Sequence, residues 1–112
     1  MKRGNKMENV SKLMELKVQK NVLVGLINNL EKQLDDLKNE TRELRHEKWD
    51  LEDSPQFDTC AYDKIVVRYE RKRGERTRLK HTIWDLEDMV RNINWQITTE
   101  MRKMEKELEK EL

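Results

Sequence analysis

The sequence has little of what a compact globular fold requires. Its 112 residues include three glycines and one proline, and aromatic residues make up only 5%. Turns between closely packed elements need clusters of Gly, Pro, Asn and Asp, and the only strong cluster in the interior is residues 53–59. Charged residues make up 42% of the chain, against 35% for hydrophobic residues. These shortages argue against a globular domain.

Residues that bind metals or perform catalysis are also scarce. The single cysteine, Cys60, excludes an internal disulfide and is compatible with a reducing compartment. The two histidines, His46 and His81, are 35 residues apart and form no ligand-spaced cluster. The sequence contains no recognisable nucleophile–base arrangement and no glycine-rich phosphate loop. We therefore expect no metal, no cofactor and no enzymatic activity.

Net charge and long apolar runs are missing as well. The chain has 24 basic and 23 acidic residues, which provides no overall attraction to nucleic acid or membranes. Its longest apolar stretch, residues 22–27, is too short to span a bilayer. The N-terminus does not resemble a signal peptide. We expect a soluble cytoplasmic protein, or a fragment of one, with nucleic acid an unlikely partner.

What the sequence does contain is a heptad repeat. With Leu13 as position a and Leu16 as position d, every d position from residue 16 to residue 51 is leucine. The phase continues to Ile97, and 18 of the 25 a and d positions between residues 13 and 97 are apolar or tyrosine, about twice the hydrophobic background. Such a stripe packs against a partner helix, so the repeat predicts an all-α coiled coil.

The spacing changes near the end, where the apolar steps of four, three and four residues after Ile97 predict a stutter. Two charged residues occupy core positions, Lys72 at d and Arg76 at a, and they predict a weak point in the coil. The predicted oligomerisation core consists of Leu13, Leu16, Leu23, Ile27, Leu30, Leu34, Leu37, Leu44, Leu51, Ile65, Leu79, Ile83, Leu86, Val90, Ile93, Ile97, Met101, Met104 and Leu108.

Pro55 interrupts the repeat. Proline in a helix interior costs about 3 kcal/mol, and Ser54 as N-cap with Pro55 at the first helical position is a start signal for a second helix. We expect a flexible N-terminus over residues 1–5, a first helix over 6–52, a break or hinge over 53–59 and a second helix over 60–112. The break is either a hinge in an extended parallel dimer or the tip of an antiparallel helical hairpin. Because the heptad phase is unchanged across Pro55, we favour the extended parallel dimer.

Charges beside the stripe bear on the choice of partner. In a parallel homodimer each g residue faces the e residue five positions later on the other chain. Two such pairs attract (Glu40–Arg45 and Glu75–Lys80) and three repel. This balance favours hetero-association with another coiled-coil chain over a homodimer. The repelling pairs are Lys12–Lys17, Glu47–Glu52 and Arg68–Arg73.

A decapeptide is repeated along the chain. Residues 44–53 and 79–88 share seven of ten positions at an offset of 35 residues, five heptads. The repeat places a His, a Trp and an Asp on the outer face of each copy, about 52 Å apart along a continuous helix. Exposed aromatics suggest docking, whereas Trp packed over Lys or Arg stems with His–Asp pairs is the structural alternative. The candidate docking residues are His46, Trp49, Asp50, His81, Trp84 and Asp85.

A basic stretch over residues 68–80 is the second candidate surface. It suits an acidic partner or a filament, although a solvated charged face is the simpler interpretation. Nucleic-acid binding would require a recognisable fold and a basic net charge. The candidate basic patch consists of Arg68, Arg71, Lys72, Arg73, Arg76, Arg78 and Lys80.

The leucines at d from residue 16 to residue 51, the Pro55 break and the Met-rich tail resemble eukaryotic cytoskeletal, centrosomal and ciliary coiled-coil scaffolds. The style is similar to intraflagellar-transport and axonemal docking coils. The resemblance implies a structural interaction protein placed in the cytoskeleton or cilium and often heteromeric. We therefore expect a scaffold that associates with another helical chain and presents docking surfaces. The alternative is an adaptor that binds a filament or acidic partner through residues 68–80.

Overall fold

A computed structural model describes the backbone of residues 2–111 and the side chains of residues 8–111. It consists of two long helices, α1 (Lys2–Glu52) and α2 (Thr59–Glu111). Between residues 2 and 111 there is no strand. The all-α class and the interruption near Pro55 are confirmed. Helix α1 begins before the predicted start at residue 6, and Met1 and Leu112 lie outside the described residues.

Helix α1 ends in a tight turn. The backbone N–H of Asp53 donates to the carbonyl of Trp49 at 3.0 Å, and that of Ser54 donates to the carbonyl of Leu51 at 3.3 Å. The hydroxyl of Ser54 accepts the backbone N–H of Gln56 at 3.3 Å. Ser54 is therefore part of the turn, and the prediction that it caps the second helix is wrong.

Asp58 is the N-cap of α2. Its carboxylate accepts backbone N–H bonds from Cys60 at 3.0 Å and Ala61 at 3.2 Å, which satisfies donors that the first helical turn leaves free. The turn is also closed by side chains, because the Tyr62 hydroxyl donates to Glu52 at 2.8 Å. That hydrogen bond to a carboxylate is the main reason why the pKa of Tyr62 is raised.

The chain divides into two compact units. We call Asn29–Trp84 the hairpin unit, because it contains the turn, and Met1–Asn28 together with Asp85–Leu112 the terminal unit. Each unit therefore combines one arm from α1 with one arm from α2. The core of each unit lies between its own two arms.

The two arms run antiparallel within each unit. In the hairpin unit, the Lys72 ammonium lies 3.1 Å from the Glu40 carboxylate. In the terminal unit, the Lys12 ammonium lies 3.2 Å from the Glu100 carboxylate. The apolar stripe of α1 is thus matched by the stripe of α2 from the same chain, and our preference for an extended parallel coil over a hairpin is wrong.

The unchanged heptad phase across Pro55 has a simple explanation in this arrangement. Glu40 lies one residue before an a-type heptad position, and it pairs with Lys72, which is itself at a d-type position. This register sets the a positions of one arm opposite the d positions of the other. A turn of this length therefore produces the same continuous phase that an extended coil would have.

The cores of the two units differ in composition. In the hairpin unit Ile83 and Thr41 are buried, and the Thr41 hydroxyl donates to the Leu37 carbonyl at 2.6 Å. In the terminal unit Leu16, Ile27, Ile93 and Glu100 are buried. The other predicted core residues that line the arms are half-buried: Leu13, Leu23, Leu30, Leu34, Leu37, Leu44, Leu51, Ile65, Leu79, Leu86, Val90, Ile97 and Met104.

The predicted stutter near the C-terminus does not form. Met101 is 45% exposed and Leu108 is 56% exposed, whereas Glu100 is only 4% exposed and Glu107 is half-buried. The helix therefore keeps its seven-residue period, and the d positions fall on the two glutamates. The prediction that Met101 and Leu108 belong to the core is wrong, because the continuing seven-residue period turns both side chains outward.

Candidate functional site

The terminal unit contains a buried acid held between two bases. The Glu100 carboxylate lies 3.2 Å from the Lys12 ammonium and 3.6 Å from the Lys103 ammonium. The hydrogen bond from Lys12 is the largest cause of the lowered pKa of Glu100, with burial acting in the opposite direction and Lys103 adding attraction. Asn9 continues the polar layer by donating to Glu107 at 3.5 Å.

The hairpin unit contains the reverse arrangement. The Lys72 ammonium lies 3.1 Å from Glu40 and 3.7 Å from Glu75. Glu40 and Glu75 both occupy g positions on the two arms, as Lys12 and Lys103 do in the terminal unit. Within the chain, Glu40 and Lys12 instead pair with d residues of the opposite arm.

The repeated decapeptide forms the same aromatic pair twice. His46 lies edge-on to Trp49 at a centroid distance of 5.4 Å and an angle of 88°, and His81 to Trp84 at 5.2 Å and 85°. The guanidinium of Arg45 lies 5.3 Å from the Trp49 ring centroid. All six candidate docking residues, including Asp50 and Asp85, are exposed. The histidines contact the tryptophans, and no hydrogen bond or ion pair joins them to the aspartates between residues 8 and 111.

The hairpin brings the two tryptophans closer than a continuous helix would. Trp49 and Trp84 lie on opposite arms of the hairpin unit. Counted from the facing pair Glu40 and Lys72, they are about 30 Å apart along the arms at 1.5 Å per residue, which corrects the expected 52 Å. Both occupy b positions, which antiparallel arms present on the same side. The two aromatic patches therefore share one side of the hairpin unit.

The basic patch is divided between different surroundings. Arg68, Arg71 and Arg78 are exposed without a carboxylate partner in the described part of the chain, whereas Lys72 is held by two glutamates and Lys80 is half-buried. The remaining members, Arg73 and Arg76, share a groove with cations from α1. Lys72 at its d position is thus an ion-paired site instead of an unpaired weak point.

An apolar ridge on the outside of α1 was missed by the sequence analysis. Five side chains spaced four residues apart in the terminal unit are exposed, and the central three are 61–66% exposed. A four-residue spacing forms an inclined ridge on a helix surface. In the heptad register its residues occupy positions e, b, f, c and g, so the ridge lies outside the a and d stripe. The signal was present in the sequence but was hidden by the stronger leucine repeat. The ridge residues are Val10, Met14, Val18, Val22 and Leu26.

Two further features of the described residues bear on function. Neither helix includes a stretch apolar and long enough to cross a membrane. No group of three or more His, Cys, Asp or Glu side chains is arranged to hold a metal ion between residues 8 and 111.

No protein-family model, curated protein or solved structure that we compared matches this chain.

Proposed function

We propose that this protein is a non-enzymatic helical interaction module that associates with another helical chain and presents docking surfaces to it. The heptad stripe is used within the chain, since the two arms of each unit cover each other. Association with a further helix therefore depends on the outer surface. The single observation that carries the proposal is the exposed apolar ridge of α1 in the terminal unit.

The ridge has the geometry of a helix-packing surface. Ridges formed by residues four apart fit into the grooves of a second helix that crosses obliquely, commonly at about −50°. Met14, Val18 and Val22 are each more than 60% exposed. Covering three such side chains contributes on the order of 3 kcal/mol. Because association also costs several kcal/mol, a stable complex needs additional contacts.

The two tryptophan patches of the hairpin unit are a separate candidate docking surface. Trp49 and Trp84 are about half exposed, and aromatic side chains of this kind dominate the energetics of protein interfaces. Each is held by its edge-on histidine neighbour, so little side-chain entropy is lost on binding. We therefore propose that the patches dock a partner.

The experiment is site-specific photo-crosslinking in cells. A photoreactive residue replaces Val18 in the ridge, and a matched variant carries it at Val67, which is 67% exposed but lies outside the ridge. We expect crosslinks from position 18 to a helical chain and none from position 67. Introducing Lys at Met14 and Val22 should abolish the crosslink while changing stability by less than about 0.5 kcal/mol, as is usual for exposed positions.

The same experiment shows whether the ridge is covered by a second copy of this chain or by a different chain. The charge pairs that favour a different partner chain belong to a parallel dimer, whereas the arms of this chain are antiparallel. A second copy and a different chain are therefore both tested by the mass of the crosslinked product. Equal crosslinking from positions 18 and 67, or none from either, would contradict the proposal.

The tryptophans are tested separately. Replacing Trp49 and Trp84 with Gln is expected to leave the melting temperature nearly unchanged, because both side chains are exposed. The same variant is expected to reduce crosslinking from a photoreactive residue at Asp53, an exposed position of the hairpin unit four residues from Trp49. Melting of the helices in this variant would show that the aromatic pairs serve the fold.

A second candidate function is an adaptor that uses residues 68–80 to hold a filament or acidic partner. It is supported by the exposure of Arg71 and Arg78, which lie one heptad apart on the same face without a described carboxylate partner. Glu at both positions, with helicity intact, is expected to abolish co-sedimentation with an acidic filament. Unchanged co-sedimentation would eliminate the adaptor. A location in a cytoskeletal or ciliary assembly is also a proposal, supported by the resemblance of the heptad pattern.

A further inference from the structure

A groove on the hairpin unit collects positive charge from both arms. Its volume is about 260 Å³. Helix α1 contributes three of its cations and α2 contributes two, and no acidic residue lines it. The five cations are Lys38, Arg42, Arg45, Arg73 and Arg76.

These cations have no acidic partners among residues 8–111. None of the five forms an ion pair with a carboxylate of residues 8–111. The Arg45 guanidinium instead lies over the Trp49 ring. Lys72, on the same helix as Arg73, is by contrast paired with two glutamates. The concentration of unpaired charge is therefore local, since the whole chain has a net charge of only +1.

The register of the hairpin creates the groove. Lys38, Arg45 and Arg73 occupy e positions, which antiparallel arms bring to the same side of the coil. Thr41 is a short side chain at a core position and lines the floor, where its hydroxyl is held by the Leu37 carbonyl. A larger apolar residue at position 41 would fill this space.

The terminal unit provides an internal comparison. In that unit a groove beside the e positions of the two arms is lined by two lysines, with amide, hydroxyl and apolar groups completing it. The antiparallel arrangement alone thus produces a groove, but it does not produce five unpaired cations. The lining residues of this second groove are Lys17, Lys20, Asn21, Asn94, Ile97 and Thr98.

We propose that the basic groove of the hairpin unit binds a ligand that carries two or three clustered phosphate groups. Guanidinium groups bind phosphate oxygens in bidentate fashion, and the groove offers four of them. A phosphate monoester carries about −1.5 to −2 charges at neutral pH, so a few linked phosphates match five cations better than carboxylates do. The half-buried Tyr69 hydroxyl, which also lines the groove, supplies a further donor.

The dimensions favour a compact ligand over a nucleic-acid strand. From Lys38 to Arg45 the groove is about 10 Å long at 1.5 Å per residue. That length accommodates two or three linked phosphates, whereas single-stranded nucleic acid is bound along tracks of about 4–16 nucleotides. A lipid headgroup and a soluble oligophosphate present the same chemistry, and the test separates them.

The test measures tripolyphosphate binding to the full chain by calorimetry at low ionic strength. We expect one site per chain, and at least tenfold weaker binding after Arg42→Gln with Arg73→Gln. The matched control, Lys32→Gln with Arg102→Gln, removes the same charge at exposed positions outside the groove and is expected to change affinity less than twofold. An Arg42→Lys variant retains the positive charge but loses the forked guanidinium that binds phosphate through two hydrogen bonds. It is expected to bind with intermediate affinity, and it tests the groove even if the double variant unfolds.

Several outcomes would overturn the proposal. Equal losses in the groove and control variants would show attraction to net charge only. Citrate binding as tightly as tripolyphosphate would remove the phosphate preference, and tighter binding of a 20-nucleotide single strand would favour nucleic acid.

Vesicles distinguish the two sources of the phosphate groups. If vesicles containing a phosphoinositide bisphosphate bind the chain and tripolyphosphate releases it, the ligand is a headgroup. Tripolyphosphate binding without vesicle binding indicates a soluble ligand.

Discussion

The terminal unit and the hairpin unit each place a charged residue at a d position, with opposite signs. Glu100 is flanked by Lys12 and Lys103, and Lys72 is flanked by Glu40 and Glu75. In both clusters the flanking residues come from g positions of the two arms. The same antiparallel register therefore accepts an acid or a base at its core, provided that both neighbours carry the other charge.

The two clusters differ in how far the central charge is removed from water. The Glu100 side chain is 6% exposed, whereas that of Lys72 is 30% exposed. A lysine extends its charged end to solvent along its apolar stem, but a glutamate is too short to do so. We infer that Glu100 depends on its two partners more strongly than Lys72 does.

The largest expected effects come from the apolar layers, which serve as the reference for this comparison. Ile83 in the hairpin unit and Ile93 in the terminal unit are both buried. Replacing either with Ala is expected to cost about 2–5 kcal/mol, because three buried side-chain carbons are lost and a cavity remains. Urea unfolding measures the change. A loss below about 1 kcal/mol at either site would show that its layer is not packed as described.

Reversing the central charge of each cluster is expected to lower the melting temperature by different amounts in the two units. Glu100→Lys places three lysines together in a buried layer, whereas Lys72→Glu places three acids at a partly exposed site. We expect the first substitution to lower the melting temperature about twice as much as the second, since an uncompensated buried charge is the more costly.

A compensating variant sharpens this test. Glu100→Lys combined with Lys12→Glu and Lys103→Glu reproduces in the terminal unit the charge order of the Lys72 cluster. Most of the lost melting temperature is expected to return. No recovery in the triple variant would show that these ion pairs do not support the buried charge.

Stability is expected to depend more strongly on acid at the Glu100 cluster of the terminal unit than at the Lys72 cluster of the hairpin unit. The pKa of Glu100 is lowered from its ordinary 4.5, chiefly by the hydrogen bond from Lys12. Because the folded chain binds this proton more weakly than the unfolded chain, the stabilisation is fully present above about pH 4.5 and is lost as pH falls through the lowered pKa.

Urea unfolding between about pH 2 and pH 6 tests this. Glu100→Gln is expected to flatten the acid side of the stability profile, whereas Glu105→Gln, at an exposed position of the same helix, leaves it unchanged. Identical profiles for both variants would remove Glu100 from the account.

The smallest expected effects come from two glycines, one in each unit. Nothing lies within 4 Å of a Cβ added at Gly25 or Gly74. Replacement with Ala is therefore expected to stabilise each helix by about 0.5–1 kcal/mol through helix propensity alone. Thermal unfolding measures both. A destabilising result at only one site would reveal a contact on the outer surface of that unit.

The heptad pattern predicted the helices and the buried side of each arm, because apolar residues at a and d positions leave a stripe that water disfavours. It did not predict the direction of pairing. A stripe is covered equally well by another chain or by the other arm, and the turn around Pro55 preserves the phase in both cases. The charge pairs decide the direction, since Glu40 reaches Lys72 only when the arms are antiparallel.

The surfaces were predicted less completely for two physical reasons. At the C-terminus, the apolar residues Met101 and Leu108 predicted the core, but the buried residue is Glu100. Its burial depends on Lys12, at the far end of the sequence. The basic stretch was recognised, but its groove requires Lys38, Arg42 and Arg45 from the other helix. Proximity across an antiparallel pair cannot be read from local composition.

The antiparallel pairing itself is tested most directly by a distance within one chain. Spin labels at Ser11 and Arg102, both exposed, are introduced with Cys60 replaced by Ser, and labelled chains are diluted with unlabelled ones. We predict a distance of about 20–35 Å from two adjacent helices of about 10–12 Å diameter. A continuous parallel coil separates these positions by more than about 100 Å at 1.5 Å per residue. The absence of a short intrachain distance would contradict the hairpin.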